Sequence, residues 1–69
     1  MNDEIKHITN LRVCESANGF YIGRMCFVEY DDGQKMLEPY SRDSEEYYPT
    51  KEIAMEHLAL NTYTPKMYL

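Results

Sequence analysis

The residues of this 69-residue chain that could do chemistry are two histidines, two cysteines and twelve carboxylates. His7, His57, Cys14 and Cys26 are the candidate metal ligands, but no Cys-x-x-Cys or His-x-x-x-His spacing joins them. Asp31-Asp32-Gly33 lacks the alternating acids of a calcium loop. Asp43-Ser44-Glu45-Glu46 reads as a solvated loop. His57 falls among apolar residues at helical spacing, with no nucleophile or carboxylate placed to work with it. It reads as a half-buried packing residue with one satisfied nitrogen. The serines and threonines form no triad, and Gly19, Gly23 and Gly33 are too scattered for a phosphate-cradling loop. The residue chemistry points to a non-enzymatic protein without metal or cofactor.

Charge is more informative. Twelve acids and seven bases leave a net charge of -5. Residues 29–46 hold seven of the acids, Glu29, Asp31, Asp32, Glu38, Asp43, Glu45 and Glu46, against only Lys35 and Arg42. That stretch carries the whole net charge, and the remainder is neutral. A one-sided acidic field favours a basic partner and disfavours nucleic acid and anionic membrane. Tyr30, Tyr40, Tyr47 and Tyr48 are interleaved with the acids. Tyrosine supplies contact area with a polar tip and is enriched at interfaces. The stretch therefore reads either as a solubilising surface or as a protein-binding face built of Glu29, Tyr30, Asp31, Asp32, Tyr40, Asp43, Glu45, Glu46, Tyr47 and Tyr48.

These residues need a scaffold, and the chain is long enough for one small domain with a thin core. Two cysteines make no disulfide framework, and the N-terminus shows no signal-peptide pattern. No apolar run approaches the length of a membrane span. The expected setting is cytoplasmic.

Residues 1–7 are expected to be a flexible N-terminus and residues 8–15 to begin the first strand. Asn18-Gly19 marks a hairpin turn, since both residues accept positive φ. A long strand from Phe20 to Tyr30 follows, then a turn at Asp31-Asp32-Gly33-Gln34 and a third strand from Met36 to about Tyr40. Pro39, lacking a donor, suits an edge. Residues 41–49 read as an acidic loop. Thr50 caps a helix over 50–60, with Ile53, Ala54, His57, Leu58 and Leu60 on one arc. Residues 61–69 form a tail. A turn at Asn18-Gly19 sets Cys14 opposite Gly23 and Cys26 opposite Leu11, too far apart for a disulfide, so both thiols are expected to be free and buried. The second strand is apolar on both faces, and one helix covers one. The other must be covered by the tail residues Met67, Tyr68 and Leu69, by a second copy, or by a partner.

The stretch from Gly19-Phe20-Tyr21 through Tyr48-Pro49-Thr50-Lys51-Glu52-Ile53-Ala54 resembles small three-strand-plus-helix domains of the YegP-like type. In those domains an aromatic strand follows a turn, and an aromatic-x-(Ser/Thr)-Lys-x-x-Ala segment opens the helix. The resemblance implies a fold and no chemistry. By type, the short, acidic, tyrosine-rich chain also resembles small phage-encoded inhibitors of bacterial defence, the anti-CRISPR proteins among them. Such proteins often dock on the basic surfaces that their targets use for nucleic acid.

The expected fold is α+β: a three-stranded antiparallel sheet followed by one C-terminal helix. The expected function is a small acidic inhibitor occupying a basic, nucleic-acid-binding surface of a larger protein, with no membrane partner. A homodimeric structural or adaptor domain is the alternative. A sheet-face RNA or DNA binder using Tyr21, Phe27 and Arg24 is the third reading.

Overall fold

The computed structural model describes residues 4–67. Four strands, β1 (Glu4–Ile8), β2 (Arg12–Ser16), β3 (Gly19–Glu29) and β4 (Lys35–Arg42), are followed by one helix, α1 (Lys51–Leu60). All pairings are antiparallel, and β3 lies at the centre. β4 takes one side of it. β2 and β1 share the other, β2 opposite residues 19–23 and β1 opposite residues 26–29.

The strand count differs from the expected three because the N-terminal segment is itself a strand. Ile5 pairs with Val28 and Ile8 with Cys26, so residues 4–8 do not belong to a flexible terminus. They extend the β2 edge beyond an interruption at Thr9-Asn10-Leu11. Thr9 bridges that interruption: its N–H donates to Met25 O (2.9 Å), and its hydroxyl accepts from Met25 N–H (3.0 Å).

The first hairpin turns one residue earlier than expected. Ser16 faces Gly19, leaving Ala17-Asn18 as the turn, and Cys14 therefore faces Tyr21 rather than Gly23. Gly19 belongs to the strand because its neighbour demands it. Its φ is +124°, and a Cβ there would stand 2.8 Å from Tyr48 O. Cys26 faces Ile8 and not Leu11. Cys14 and Cys26 lie on opposite faces of the sheet, and both are buried and free.

The second hairpin forms where expected. Gly33 N–H donates to Tyr30 O (2.9 Å), Asp32 Oδ1 accepts from Gln34 N–H (3.0 Å), and Gly33 takes φ +85°. Pro39 lies on the edge strand β4, beside a register shift that leaves Tyr40 as the extra residue between Pro39 and Ser41.

Thr50 caps α1 by accepting Ile53 N–H on its hydroxyl (3.2 Å), with Glu52 in the positive first turn. Asn61, at φ 55°, closes the helix in the left-handed region. The core is Ile22, Tyr48 and Ala54, with Leu11, Val13, Phe20, Leu58 and Tyr63 against it. Contact with the sheet centres on Ala54, whose short side chain brings the helix close. The contact face is therefore narrower than the expected arc: Ile53 and Leu60 are exposed.

Candidate functional site

Ten acids and tyrosines were the candidate binding face, and the structure divides them between the two ends of β3. Glu29, Tyr30, Asp31 and Asp32 form the tip of the β3–β4 hairpin. Asp43, Glu45, Glu46, Tyr47 and Tyr48 follow β4 and return beside Phe20 at the other end. Phe20 and Glu29 are nine steps apart along β3, about 30 Å at strand rise, in a molecule 39 Å long. Tyr40 stands between them on the β4 edge, half-exposed. The ten residues are not one surface.

The second group is largely structural. Beyond Arg42 the chain leaves regular pairing with β3, and Ser44 fills the gap. Its hydroxyl accepts Ile22 N–H (3.0 Å) and donates to Glu46 O (2.9 Å), while Asp43 and Ser44 N–H both donate to Ile22 O (2.8 and 3.0 Å). Ser44 is fully buried. Regular pairing resumes at Tyr48, which exchanges two backbone bonds with Phe20 (2.9 and 2.6 Å).

The tail then pairs with this segment. Glu45 N–H donates to Thr64 O (2.9 Å), Lys66 N–H donates to Asp43 O (2.7 Å), and Thr64 N–H donates to Glu46 Oε1 (3.0 Å). Thr64, through its side chain first and its N–H second, holds the Glu46 carboxyl below the usual carboxylate value, and the Tyr48 hydroxyl also donates to Glu46 Oε1 (3.3 Å). Asp43 accepts a bond from the Ser41 hydroxyl (2.8 Å) and sits 3.9 Å from Arg24 Nε. The described part of the tail thus lies along the sheet's edge and does not cover its second face. Met67 is exposed, and Tyr68 and Leu69 lie outside the described residues.

Tyr47 and Tyr48 go to opposite sides of the sheet, as consecutive residues of extended backbone must. Tyr48 is buried beneath the helix and stacks on His57, with centroids 4.6 Å apart and planes 16° apart. Burial pushes its phenol pKa up. His57 is accordingly a packing residue, with Nδ1 2.8 Å from the Thr62 hydroxyl. Tyr47 lies edge-on to Tyr21 on the other face, with centroids 5.9 Å apart. The Arg42 guanidinium stands over the Tyr47 ring and bonds its hydroxyl, lowering that phenol's pKa. The uncovered face thus has a cover that the sequence did not suggest: Arg42 and Tyr47 bury Tyr21 there.

Tyr21 is consequently no stacking platform for nucleic acid. Arg24 lies on the sheet face opposite Tyr21 and Phe27, and its guanidinium donates to Thr9 O (3.0 Å). Arg12, paired with Gly23, is also on the opposite face from Arg24, so the two arginines do not form one basic spot.

At the hairpin end nothing comparable among the described residues covers the sheet. Phe27, paired with Leu37, is exposed on one face, with the His7 ring 6.2 Å away. Ile5 and Met36, both paired with Val28, are exposed on the other. Asp31 and Asp32 are exposed beyond them, and Glu29 is half-buried beside Lys35. Of these apolar residues the sequence signalled Phe27, through the two-sided alternation of its strand. Adjacent Met36 and Leu37 on an edge strand were the other legible signal.

Among the described residues no group of three or more His, Cys, Asp and Glu could hold a metal ion, and no helix is long and apolar enough to cross a membrane. Comparison with known proteins finds no matching family model, no matching curated protein and no matching solved structure.

Proposed function

We propose that this chain is a non-enzymatic protein-binding inhibitor that docks the hairpin end of its sheet on a basic surface of a larger protein, one that otherwise engages nucleic acid. The observation that carries this reading is the bare sheet end. Ile5, Phe27, Met36 and Leu37 are each 40% or more exposed, on both faces, directly beside Glu29, Asp31 and Asp32. A contiguous apolar surface rimmed by charge is the common form of a protein interaction site. The carboxylates would steer the encounter with Lys and Arg on the partner, and the apolar residues would hold the complex. By type this is the action of anti-CRISPR proteins and related phage inhibitors. The contact set is thereby Glu29, Tyr30, Asp31 and Asp32 with the apolar residues beside them. Asp43, Glu46 and Tyr48 serve the fold.

The test is capture of partners from a bacterial lysate on immobilised protein. Asp31→Lys with Asp32→Lys should preserve the thermal melt, since exposed turn charges contribute little to stability, and should abolish capture of a nucleic-acid-binding protein at low salt. Unchanged capture by the double reversal would refute the hairpin as the contact surface.

Exposure of Phe27 and Leu37 on the face away from the helix also favours a second reading, a two-fold dimer in which that face covers itself. Light scattering separates the two: a stable monomer at high concentration removes the dimer.

A further inference from the structure

We propose that the outer edge of β2, together with the groove between β2 and α1, binds an extended peptide that alternates apolar and acidic side chains, by adding it as a further strand. This site lies away from the hairpin tip and does not rest on the inhibitor reading.

The edge comes first. Phe20 directs its N–H and C=O to Tyr48, and Ile22 directs its own to Asp43 and Ser44. Both residues of β3 therefore turn their polar groups away from β2. Their cross-strand partners in β2 are Glu15 and Val13. In an antiparallel ladder such pairs exchange no backbone bonds, so the N–H and C=O of Val13 and Glu15 point to the outer side of β2. Among the described residues β2 pairs only with β3. An open row of backbone donors and acceptors is a template for an incoming strand.

The groove lies beside that edge. A cleft of about 460 Å³ is lined by Leu11, Arg12 and Val13 from the sheet side and by Lys51, Met55 and Leu58 from the helix. A second hollow of about 200 Å³ shares Val13 and Lys51 with it and continues to Glu15. Together they follow β2 from Arg12 to Glu15. On the helix side, positions 51, 55 and 58 make one stripe at helical spacing. Met55 is half-exposed, and its flexible thioether adapts to different apolar side chains.

Charge selects the ligand. In a chain of net charge -5, the larger cleft is lined by two cations, Arg12 and Lys51, and by no carboxylate. A bound strand would place alternate side chains on the helix side, where Leu11, Val13, Met55 and Leu58 favour apolar groups. Its carboxylates would fall on the other face, where Arg12 stands, in a positive field to which the exposed Lys51 adds. A basic peptide would gain the backbone bonds but would face both cations.

Two capped peptides, one alternating valine with glutamate and one alternating valine with lysine, are titrated into nitrogen-labelled protein and followed by amide chemical shifts. The glutamate peptide should produce saturable shifts at Leu11, Val13, Glu15, Lys51 and Met55, and the lysine peptide should bind more weakly. Lys51→Glu puts an acid in the first turn of the helix, which that end tolerates. With Arg12→Glu it should weaken the glutamate peptide roughly tenfold, the worth of reversing two exposed charges, and reverse the preference. Glu15→Pro removes an outward donor at an exposed position without touching the β2–β3 bonds and should abolish binding while leaving the melt near that of the parent protein. Equal binding of the two peptides, shifts confined to the β3–β4 hairpin, or binding that survives Glu15→Pro would each overturn the proposal. So would concentration-dependent shifts at Val13 and Glu15 without peptide, with a doubled mass, because a second copy would then hold the edge.

Discussion

Ser44→Ala is the most demanding test of how this small sheet is held together. The substitution deletes one oxygen and adds no bulk. In the parent protein that oxygen accepts Ile22 N–H at 3.0 Å and donates to Glu46 O at 2.9 Å, and both Ser44 and Ile22 are fully buried. Without it the Ile22 amide has no acceptor and no access to water. An orphaned buried donor costs about 1–3 kcal/mol, and the lost bond to Glu46 adds about 0.5–1.5 kcal/mol. The expected loss is about 2–4 kcal/mol. A chain of this length has about 3.5–10 kcal/mol of total stability, so the loss is a large fraction of it. At about 4–8 °C per kcal/mol for a domain of this size, the melting temperature should fall by about 8–32 °C. Urea unfolding followed by circular dichroism reads the change as a lower midpoint with an unchanged slope. Ser16→Ala is the control. Its hydroxyl also makes two bonds, to Gly19 O (3.1 Å) and Asn18 N–H (3.2 Å), but it is exposed, and water replaces it. A Ser44→Ala loss below about 0.5 kcal/mol, equal to that of the control, would refute the claim that this hydroxyl completes the ladder.

Glu46 carries a pH dependence of defined sign. Its carboxyl pKa is lowered in the folded state by the bonds from Thr64, so its contribution is full above the ordinary value of 4.5 and is lost as pH falls through the folded value. Glu46→Gln should flatten stability against pH in that acid window and change nothing of the slope near neutrality, as urea midpoints across the range will show. Thiol labelling in denaturant without reductant should count two groups, while native Cys14, whose pKa burial pushes up, should react slowly. A count of zero in a monomer would contradict the hairpin register. Gly23→Ala should destabilise by about 1–3 kcal/mol through overpacking, because the added methyl would run into the Ser41 carbonyl and the Tyr21 ring. A neutral result in thermal melts would mean that β4 can move away from β3 at little cost.

Local chemistry alone determined part of this protein. Asp31-Asp32-Gly33 makes its turn with bonds among residues 30–34, and Thr50 caps its helix through an amide three residues on. Both are written in the residues that make them. The two-sided apolar alternation of β3 follows from the strand's period of two and needs no knowledge of its neighbours. The remainder was decided by contacts between distant segments. Ser44 meets Ile22 across 22 residues, and nothing in a polar run marks that serine from Ser41. The tail's bonds to Asp43, Glu45 and Glu46 turn acids that read as a free surface into part of the sheet's edge. Tyr47 and Tyr48 read as one interface pair, yet the bridge from Phe20 to Tyr48 extends the backbone there and sends the two rings to opposite faces. The first hairpin shows the same competition within a few residues. Asn18-Gly19 is a good local turn, but Gly19 is required beside the Tyr48 carbonyl, and the turn forms one residue earlier, at Ala17-Asn18. A charge pattern is a property of the chain, whereas a charged surface is a property of the pairing, and here the pairing places the two halves of one acidic run at opposite ends of a single strand.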